Sequence, residues 1–500
     1  MKILESINRF VWGIPALLLI ICVGIYLSLC TGFAQFRLFP RAIKSFVSQF
    51  TGQKCGNNRI SGYEALCTAL AATVGTGNLA GVAGAITVGG PGAIFWMWIC
   101  AIFGMVTKFA EASLAVRYRQ MNNQDEWVGG PMYMIQNGLG KRWTWLGGIY
   151  CFFAVVAAFG VGNATQINAV VGGVNSVLLS AGIATSNIID LFVGVALAVS
   201  IGVMLSGGAK RIGRVAQKLV PFASILYLLL GAGVLLTRIS CIPSAFRMIF
   251  KGAFSPQAIT GGIIGSLFQA LRVGASRGVF TNEAGMGTAS IAHASADVNH
   301  PVEQGLMGIV EVFLDTIVIC TMTALVILCS GVEIPYGTDI GIALTTSAFS
   351  SVYGSWVNVL ITLALCLFAI ATIMGWGLYG ARCAQYLFGE TVWRPFVILQ
   401  VITIILGAVL KTQTVWLISE TVNGLMAIPN LIALAGLAPE LRRLTKEYKK
   451  KQHKNAVGGT YENFNQCQSL RAVSYAEIPS LSSTGQKGWK KDLSSKYRPA

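Results

Sequence analysis

The sequence predicts an all-α polytopic membrane protein with about eleven transmembrane helices. Two observations support this. The 500-residue chain is 54% hydrophobic and only 11% charged, whereas soluble domains usually carry about 25% charged residues. Apolar runs long enough to cross a bilayer also recur along almost the whole chain, since a transmembrane helix needs about 20 apolar residues. A lipid bilayer is therefore the predicted surrounding of most of the chain.

Eleven apolar segments qualify as spans, and we number them in chain order. The first is too long for the apolar region of a signal peptide and lacks a clear cleavage site, so we expect it to remain in the protein. The predicted spans are residues 11–31, 63–88, 92–118, 146–172, 188–206, 215–236, 258–296, 303–330, 355–387, 393–410 and 414–437.

The distribution of Lys and Arg predicts the orientation. A net charge of +17 is often typical of nucleic-acid binding, but here the positive residues lie in loops between spans and in a C-terminal tail. With the N-terminus outside, the cytoplasmic segments carry 28 Lys and Arg against 6 outside, and 15 against 6 without the tail. The positive-inside rule therefore predicts a multi-pass bacterial inner-membrane protein with a cytoplasmic C-terminus and no nucleic-acid partner.

Other residue patterns exclude several classes of site. The twelve cysteines form no CxxC pair, so we expect neither a disulfide framework nor a structural metal site. No HExxH motif and no Cys–His cluster is present, which argues against an enzyme. Residues 441–500 are rich in Lys, Ser, Gln and Asn, a composition that predicts a basic, disordered cytoplasmic tail.

Two spans contain residues that a lipid-facing helix should not. Val74-Gly75-Thr76-Gly77-Asn78 interrupts span 2, and residues 277–287 interrupt span 7 with three glycines and the pair Asn282-Glu283. Each Gly weakens a helix by about 1 kcal/mol relative to Ala. Close helix packing is an alternative role for such glycines, but it leaves Asn282-Glu283 unexplained because a carboxylate at membrane depth is expensive. We therefore predict two broken helices.

The positions of the breaks predict an inverted repeat. Apart from the extra N-terminal helix (1–31), spans 2–6 (32–237) and spans 7–11 (238–440) form two halves of five, and each half begins with a broken helix. Because five is odd, the halves have opposite orientations, and such repeats bind substrate and ion near the bilayer midplane. Half-helix N-termini bind carboxylates, and half-helix C-termini offer carbonyls to cations. A zwitterionic amino acid suits both.

Several motifs together resemble one family. The sequence is similar to the alanine or glycine:cation symporters, also called sodium:alanine symporters, over roughly residues 10–445. The motifs that carry the resemblance are Ala71-Ala72-Thr73-Val74-Gly75-Thr76-Gly77-Asn78, Gly90-Pro91-Gly92-Ala93-Ile94-Phe95-Trp96-Met97-Trp98, Thr107-Lys108-Phe109-Ala110-Glu111, Asn282-Glu283-Ala284-Gly285-Met286-Gly287, Ile291-Ala292-His293-Ala294, Asp315-Thr316 and Gly375-Trp376.

The resemblance implies a leucine-transporter-like five-plus-five fold and a secondary active symporter. Sodium influx would drive uptake of a small neutral amino acid, alanine or glycine, by alternating access, with sodium as coupling ion and no other cofactor. A proton-coupled carrier of another small amino acid or solute on the same fold is the alternative. A channel is a third possibility, which saturable exchange of labelled substrate would argue against.

By this resemblance, residues of four spans line the substrate site. The rings of Phe280 and Trp376 would limit the size of the substrate side chain, which favours alanine or glycine. The implied substrate-binding residues are Gly75, Thr76 and Gly77 on span 2, Gln166 on span 4, Gly278 and Phe280 on span 7, and Thr372 and Trp376 on span 9.

The same resemblance implies a sodium site between spans 2 and 9. Its ligands would be carbonyls near Ala72, Gly75 and Ala369 and the hydroxyl of Thr372. The sequence departs from the family pattern twice, because Ala371 stands where a second hydroxyl is expected and no acidic residue lies near Ala381, before Arg382.

The remaining charges within spans have two readings each. Glu311 and Asp315 lie four residues apart and so share one face of span 8. They form either a proton or cation relay or a structural pair bonded to an arginine of span 7, for which Arg272 and Arg277 are the candidates. On span 3, Lys108 and Glu111 lie three residues apart, so they either satisfy each other or, near the cytoplasmic end, extend their charged groups to the membrane surface.

Overall fold

The structure, a computed structural model, describes residues 14–51, 60–264, 266–409 and 412–475. The chain divides into two compact units, Met1–Thr445 and Lys446–Ala500. The last helix extends to Tyr475. The disordered tail from residue 441 stays a prediction, and its residues 476–500 lie outside the described part.

Helices dominate the described residues. Eight of them are long and apolar enough to cross a bilayer, and nine if the bent pair Gly62–Thr73 and Gly77–Gly89 counts as one span. Spans 1 and 7 do not meet this test as single helices, so the exact count of eleven stays a prediction. The eight are Ala93–Tyr118, Lys141–Ser180, Asn187–Ser206, Gly208–Thr237, Pro301–Cys329, Val357–Phe388, Glu390–Val409 and Thr421–Gln452.

The remaining elements complete spans 1 and 7 and connect the spans. One two-stranded hairpin, Gln120–Met121 paired with Trp127–Val128, lies between spans 3 and 4. The other helices are Ile14–Thr31, Ala34–Arg37, Phe39–Thr51, Pro131–Met134, Ile135–Leu139, Ile239–Cys241, Ile242–Phe254, Gln257–Thr260, Leu267–Asn282, Thr288–Ala294 and Ile342–Tyr353.

The two predicted halves pack against each other through helices that hold equivalent positions in each half. Span 3 packs extensively against span 8, span 4 against span 9, and span 5 against span 10. Each of these pairs joins helices that occupy the same position in the two predicted halves. Such pairing of counterparts agrees with the predicted five-plus-five repeat.

The first break lies where the sequence predicts it. The helix Gly62–Thr73 begins with a capping box, in which Ser61 and Glu64 bond each other's backbone N–H, and ends before Val74, whose backbone is extended. A π-helical segment, Gly77–Gly81, then resumes the span, with a bend of 52° between the two parts. The predicted interruption of span 2 is confirmed between Thr73 and Gly77, whereas Gly77 and Asn78 already belong to the π-helical segment.

The second break is narrower than predicted. Leu267–Asn282 is a continuous helix, so the predicted interruption from residue 277 is wrong for its first six residues. The break begins at Glu283, and Glu283, Gly285 and Gly287 all have positive φ, a backbone conformation that glycine adopts most readily. Gly278 lies within this helix. Its lack of a side chain lets span 3 pack closely against it.

Candidate functional site

Six of the predicted site residues lie together at the first break. A methyl group placed on Gly75 would lie 2.5 Å from Thr372 Oγ1 and 3.5 Å from Gln166 Oε1. One placed on Gly77 would lie 3.5 Å from the Phe280 ring. Only a residue without a side chain therefore fits at Gly75. With Thr76 these residues form one group, the Gly75 cluster: Gly75, Thr76, Gly77, Gln166, Phe280 and Thr372.

The Gly75 cluster contains buried oxygen atoms with no hydrogen-bond partner in the described part of the protein. They are Thr76 Oγ1, Gln166 Oε1 and Thr372 Oγ1, and each side chain is at most 3% exposed. The amide nitrogen of Gln166 donates instead to the Val161 carbonyl at 3.1 Å. Because more than 90% of buried polar groups are normally bonded, this group of oxygens is suited to a ligand that donates hydrogen bonds or to a cation.

Three π-helical segments border this region. They are rare in proteins and occur often at functional sites. One contains part of the first break, one precedes Gln166, and one carries Asp315 and Thr316. The segments are Gly77–Gly81, Gly160–Ala164 and Phe313–Cys320.

Two predicted substrate-binding residues have surroundings outside the Gly75 cluster. Gly278 faces span 3, where a methyl group on it would meet Cys100 and Met97 at 3.3 and 3.4 Å. Trp376 is fully buried, and its indole N–H donates to Glu283 Oε1 at 2.8 Å. This bond attaches span 9 to the second break.

The predicted sodium ligands lie on two contacting spans. Ala72 packs on Gly375, where a methyl group would be 2.8 Å from its Cβ. Ala369 is buried and lies one helical turn before Thr372, whose hydroxyl is beside Gly75. Ala72, Gly75 and Thr372 therefore lie at the contact between spans 2 and 9, and Ala369 is buried on span 9 one turn before it.

A polar network connects the two breaks through span 8. Gly75 N–H donates to Asn78 Oδ1 at 2.8 Å, and Asn78 Nδ2 donates to Asp315 Oδ1 at 2.6 Å. The other carboxylate oxygen accepts from Thr316 Oγ1 at 2.8 Å, and that hydroxyl accepts from Asn282 Nδ2 at 3.1 Å. Asp315 thus connects Gly75 in the first break to Asn282 at the edge of the second.

The backbone N–H groups that the second break leaves without helical partners donate to a side chain of the protein itself. Glu111 Oε1 accepts from Gly285 N and Gly287 N, both at 3.0 Å, and from Asn430 Nδ2 at 2.7 Å. Asn430 Nδ2 also donates to the Gly285 carbonyl at 2.9 Å. At the second break, a carboxylate of span 3 therefore occupies the backbone N–H groups that the sequence predicts as a binding position for a substrate carboxylate.

The expected pairing of the other charges is wrong. Glu311 bonds neither candidate arginine of span 7, because its oxygens accept from Lys108 Nζ and contact His293 Nε2, both at 2.9 Å. Lys108 on span 3 consequently forms its ion pair with Glu311 on span 8, and not with Glu111 on its own helix. Arg277 lies 3.3 Å from Asp339.

Several residues that hold the breaks are not among the substrate and sodium ligands that the sequence predicts. Asn78, Glu111 and Asp315 were visible as polar residues within apolar spans, which is a signal of function by itself. Asn430, on span 11, carried no comparable motif. Its contact with the second break depends on how distant spans pack.

Two discontinuous helices, joined by a buried polar network and related by a five-plus-five repeat, define a secondary membrane transporter. The chain belongs to the sodium:alanine symporter family, whose model matches residues 1–462. Its class is therefore that of a sodium-coupled amino-acid symporter and not an enzyme, and sodium is the coupling ion.

Individual relatives are similar to this chain over almost its whole length. The sodium/alanine symporter AgcS of Methanococcus maripaludis is 41% identical over 91% of this chain and 99% of its own. The probable sodium/glutamine symporter GlnT of Bacillus subtilis is 35% identical over 91% and 93%. The solved structure of MhsT, in complex with L-phenylalanine, matches with a TM-score of 0.53 at 14% identity, over 79% of this chain and 99% of that one. This last similarity shows the leucine-transporter-like fold.

Proposed function

We propose that this protein couples sodium influx to uptake of alanine or glycine by alternating access. It would lie in the bacterial inner membrane with its N-terminus outside and its C-terminus in the cytoplasm. The observation that carries the proposal is the group of three bare, buried oxygens of Thr76, Gln166 and Thr372 around the interrupted backbone at Gly75.

The first break supplies groups for both ends of an amino acid. The backbone N–H groups at the start of the Gly77–Gly81 segment lie at a helix N-terminus, which favours a carboxylate. The bare oxygens accept hydrogen bonds from an ammonium group. Because Glu111 already occupies the second break, the carboxylate of the substrate would bind at Thr76 and Gly77, and Gly278 would contribute no direct contact.

Sodium would bind beside the substrate. The carbonyls of Ala72, Gly75 and Ala369 and the hydroxyl of Thr372 are oxygen groups, which hard cations prefer. Thr372 borders both proposed sites through its contact with Gly75. Sodium and substrate therefore order the same backbone, so each would raise the affinity for the other by the same factor.

The size of the site favours a small side chain. The Phe280 ring lies against Gly77, close to where the side chain of a bound amino acid would begin. A pocket rejects an extra methylene by only about 1–3 kcal/mol, so we expect graded and not absolute selectivity. The relative named for alanine supports alanine, and the one named for glutamine makes glutamine the most informative competitor.

Purified protein in liposomes tests the proposal. We expect labelled alanine or glycine to accumulate when an inward sodium gradient is imposed and not when sodium is equal on both sides. Unlabelled glutamine should compete more weakly than alanine. Uptake that ignores the sodium gradient would refute the coupling, and glutamine competing more strongly than alanine and glycine would refute the substrate.

Proton coupling in addition to sodium coupling is the second candidate, and buried acids favour it. Glu111, Glu283, Glu311 and Asp315 are all at most 3% exposed, and Lys108 bonds just one of them, Glu311. Protons would neutralise such a group of carboxylates. The same liposomes, given a pH gradient without sodium, distinguish the candidates, because accumulation under that condition alone supports proton coupling.

A further inference from the structure

The hairpin between spans 3 and 4 holds an acidic side chain in a fixed position. We refer to residues 120–128 as the strap. Its two short strands pair, and Asn122 Oδ1 accepts from the N–H groups of Gln124 and Glu126 at 3.0 and 2.8 Å. The turn therefore presents Glu126 from a backbone that is itself hydrogen-bonded.

Glu126 bonds the strap to span 9. Its Oε2 accepts from Arg382 Nη2 at 2.6 Å, with the two side chains 20% and 9% exposed, while Oε1 lies 4.0 Å from Lys210 Nζ. Arg382 also donates to Gln385 and lies over the ring of Trp393. A largely buried, charge-assisted bond of this kind is stronger than an exposed surface pair.

The base of the strap is attached to the end of span 7. Arg119 Nη1 donates to the carbonyls of Ala294, at 3.1 Å, and Ala296, and its guanidinium lies 4.2 Å from the centre of the Trp127 ring. Asp297 N–H donates to the Ile60 carbonyl at 2.8 Å. The strap thus joins span 9 to the point where both broken helices end on this side.

These contacts surround a cleft of about 400 Å³ at the ends of the spans that carry the Gly75 cluster. Thr372 lies ten residues before Arg382 on span 9, which is about 15 Å along a helix. The cleft is lined by Ile60, Glu126, Trp127, Ala209, Ser295 and Arg382.

We propose that the strap closes the cytoplasmic route to the Gly75 cluster, with the Glu126–Arg382 pair as its latch. An opening that separates span 9 from the end of span 7 must break either this pair or the bonds of Arg119 to the Ala294 and Ala296 carbonyls. The inference rests on the proposed alternating access, but it assigns the closing contact to particular residues.

The test measures access to the cleft in the full-length protein. Ser295→Cys places a thiol in the cleft, and the rate of its modification by a membrane-impermeant maleimide is measured from the cytoplasmic face in inside-out vesicles. The same protein with Ser295 retained corrects for native cysteines. We expect Glu126→Gln, which is nearly isosteric, to raise the rate about tenfold, as befits loss of a charge-assisted bond.

Two controls make the result specific. Glu440→Gln removes a similar charge, since Glu440 bonds Arg117 and Arg443 outside the cleft, and should leave the rate unchanged. Exchanging the latch charges, Glu126→Arg with Arg382→Glu, should restore slow modification. If the exchanged pair does not assemble, the comparison of E126Q with E440Q decides alone.

Three outcomes overturn the proposal: an unchanged rate in E126Q, an equal increase in E440Q, or an exchanged pair that assembles and is modified as fast as E126Q. Maleimide access requires no transported solute. A failure of the strap as a latch is therefore distinguishable from a failure of sodium-driven alanine uptake.

Discussion

Substituting Gly75 with alanine tests the geometry of the first break directly. The added methyl would lie 2.5 Å from Thr372 Oγ1, about 1 Å inside ordinary van der Waals contact. Overpacking of this kind costs about 1–3 kcal/mol, which corresponds to about 5- to 150-fold in affinity at 1.4 kcal/mol per tenfold. We expect the Kd of alanine, measured by equilibrium binding in saturating sodium, to rise by that factor.

Gly81→Ala is the matched control. It lies on the same broken span, and the nearest atom to its added methyl is 4.0 Å away, so the affinity for alanine should change less than twofold. An equal loss in both variants would mean that helix flexibility, and not the contact with Thr372, accounts for the result.

A double substitution separates the clash from the lost hydroxyl. In Gly75→Ala with Thr372→Ala, the clashing oxygen is gone, and the two remaining contacts, 3.5 Å to Gln166 Oε1 and 3.6 Å to the Cβ of residue 372, are ordinary. The double variant should therefore bind alanine no more weakly than Thr372→Ala alone, because contacting residues are not additive. Additive losses, or wild-type affinity in Gly75→Ala, would refute our description of the site.

Three further substitutions address the network around the breaks. Trp376→Phe should slow sodium-driven alanine uptake about tenfold through loss of the bond to Glu283, while a wider range of accepted amino acids would instead put the ring in the substrate pocket. Asp315→Asn weakens two charge-assisted bonds and should raise the Kd of alanine about tenfold; unchanged binding would remove Asp315 from the coupling. Lys108→Met leaves Glu311 buried without its cation and should destabilise the protein by about 3–5 kcal/mol, seen as a lower thermal midpoint that Glu311→Gln partly restores; an unchanged midpoint would contradict this pairing.

The sequence alone was sufficient where local chemistry decides structure. Two glycines around Thr76 weaken one helix at one place, so the first break could be located to within a residue or two. At the second break the prediction extended too far, because Gly278 favours a break by composition but packs against Met97 and Cys100 as a helical residue.

Charge pairing could not be predicted in the same way. Periodicity shows which residues share a face of their own helix, as Glu311 and Asp315 do, but not which neighbour that face meets. Lys108 and Glu111 satisfied the spacing rule, yet their partners are on other spans. The rotation and depth of each packed helix decide such contacts, and no local signal encodes them.

Glu111 is bound at the second break, and this has a consequence for the protein without substrate. When substrate is released, the backbone N–H groups of Gly285 and Gly287 still donate to Glu111. They therefore need no water molecules as new hydrogen-bond partners. Only the unpartnered oxygens of the Gly75 cluster would then need water or a new ligand before the empty carrier returns to its starting conformation. On the proposed cycle, the cost of that return step would fall on the unpartnered oxygens of Thr76, Gln166 and Thr372, so substitutions there would change turnover and leave the second break intact.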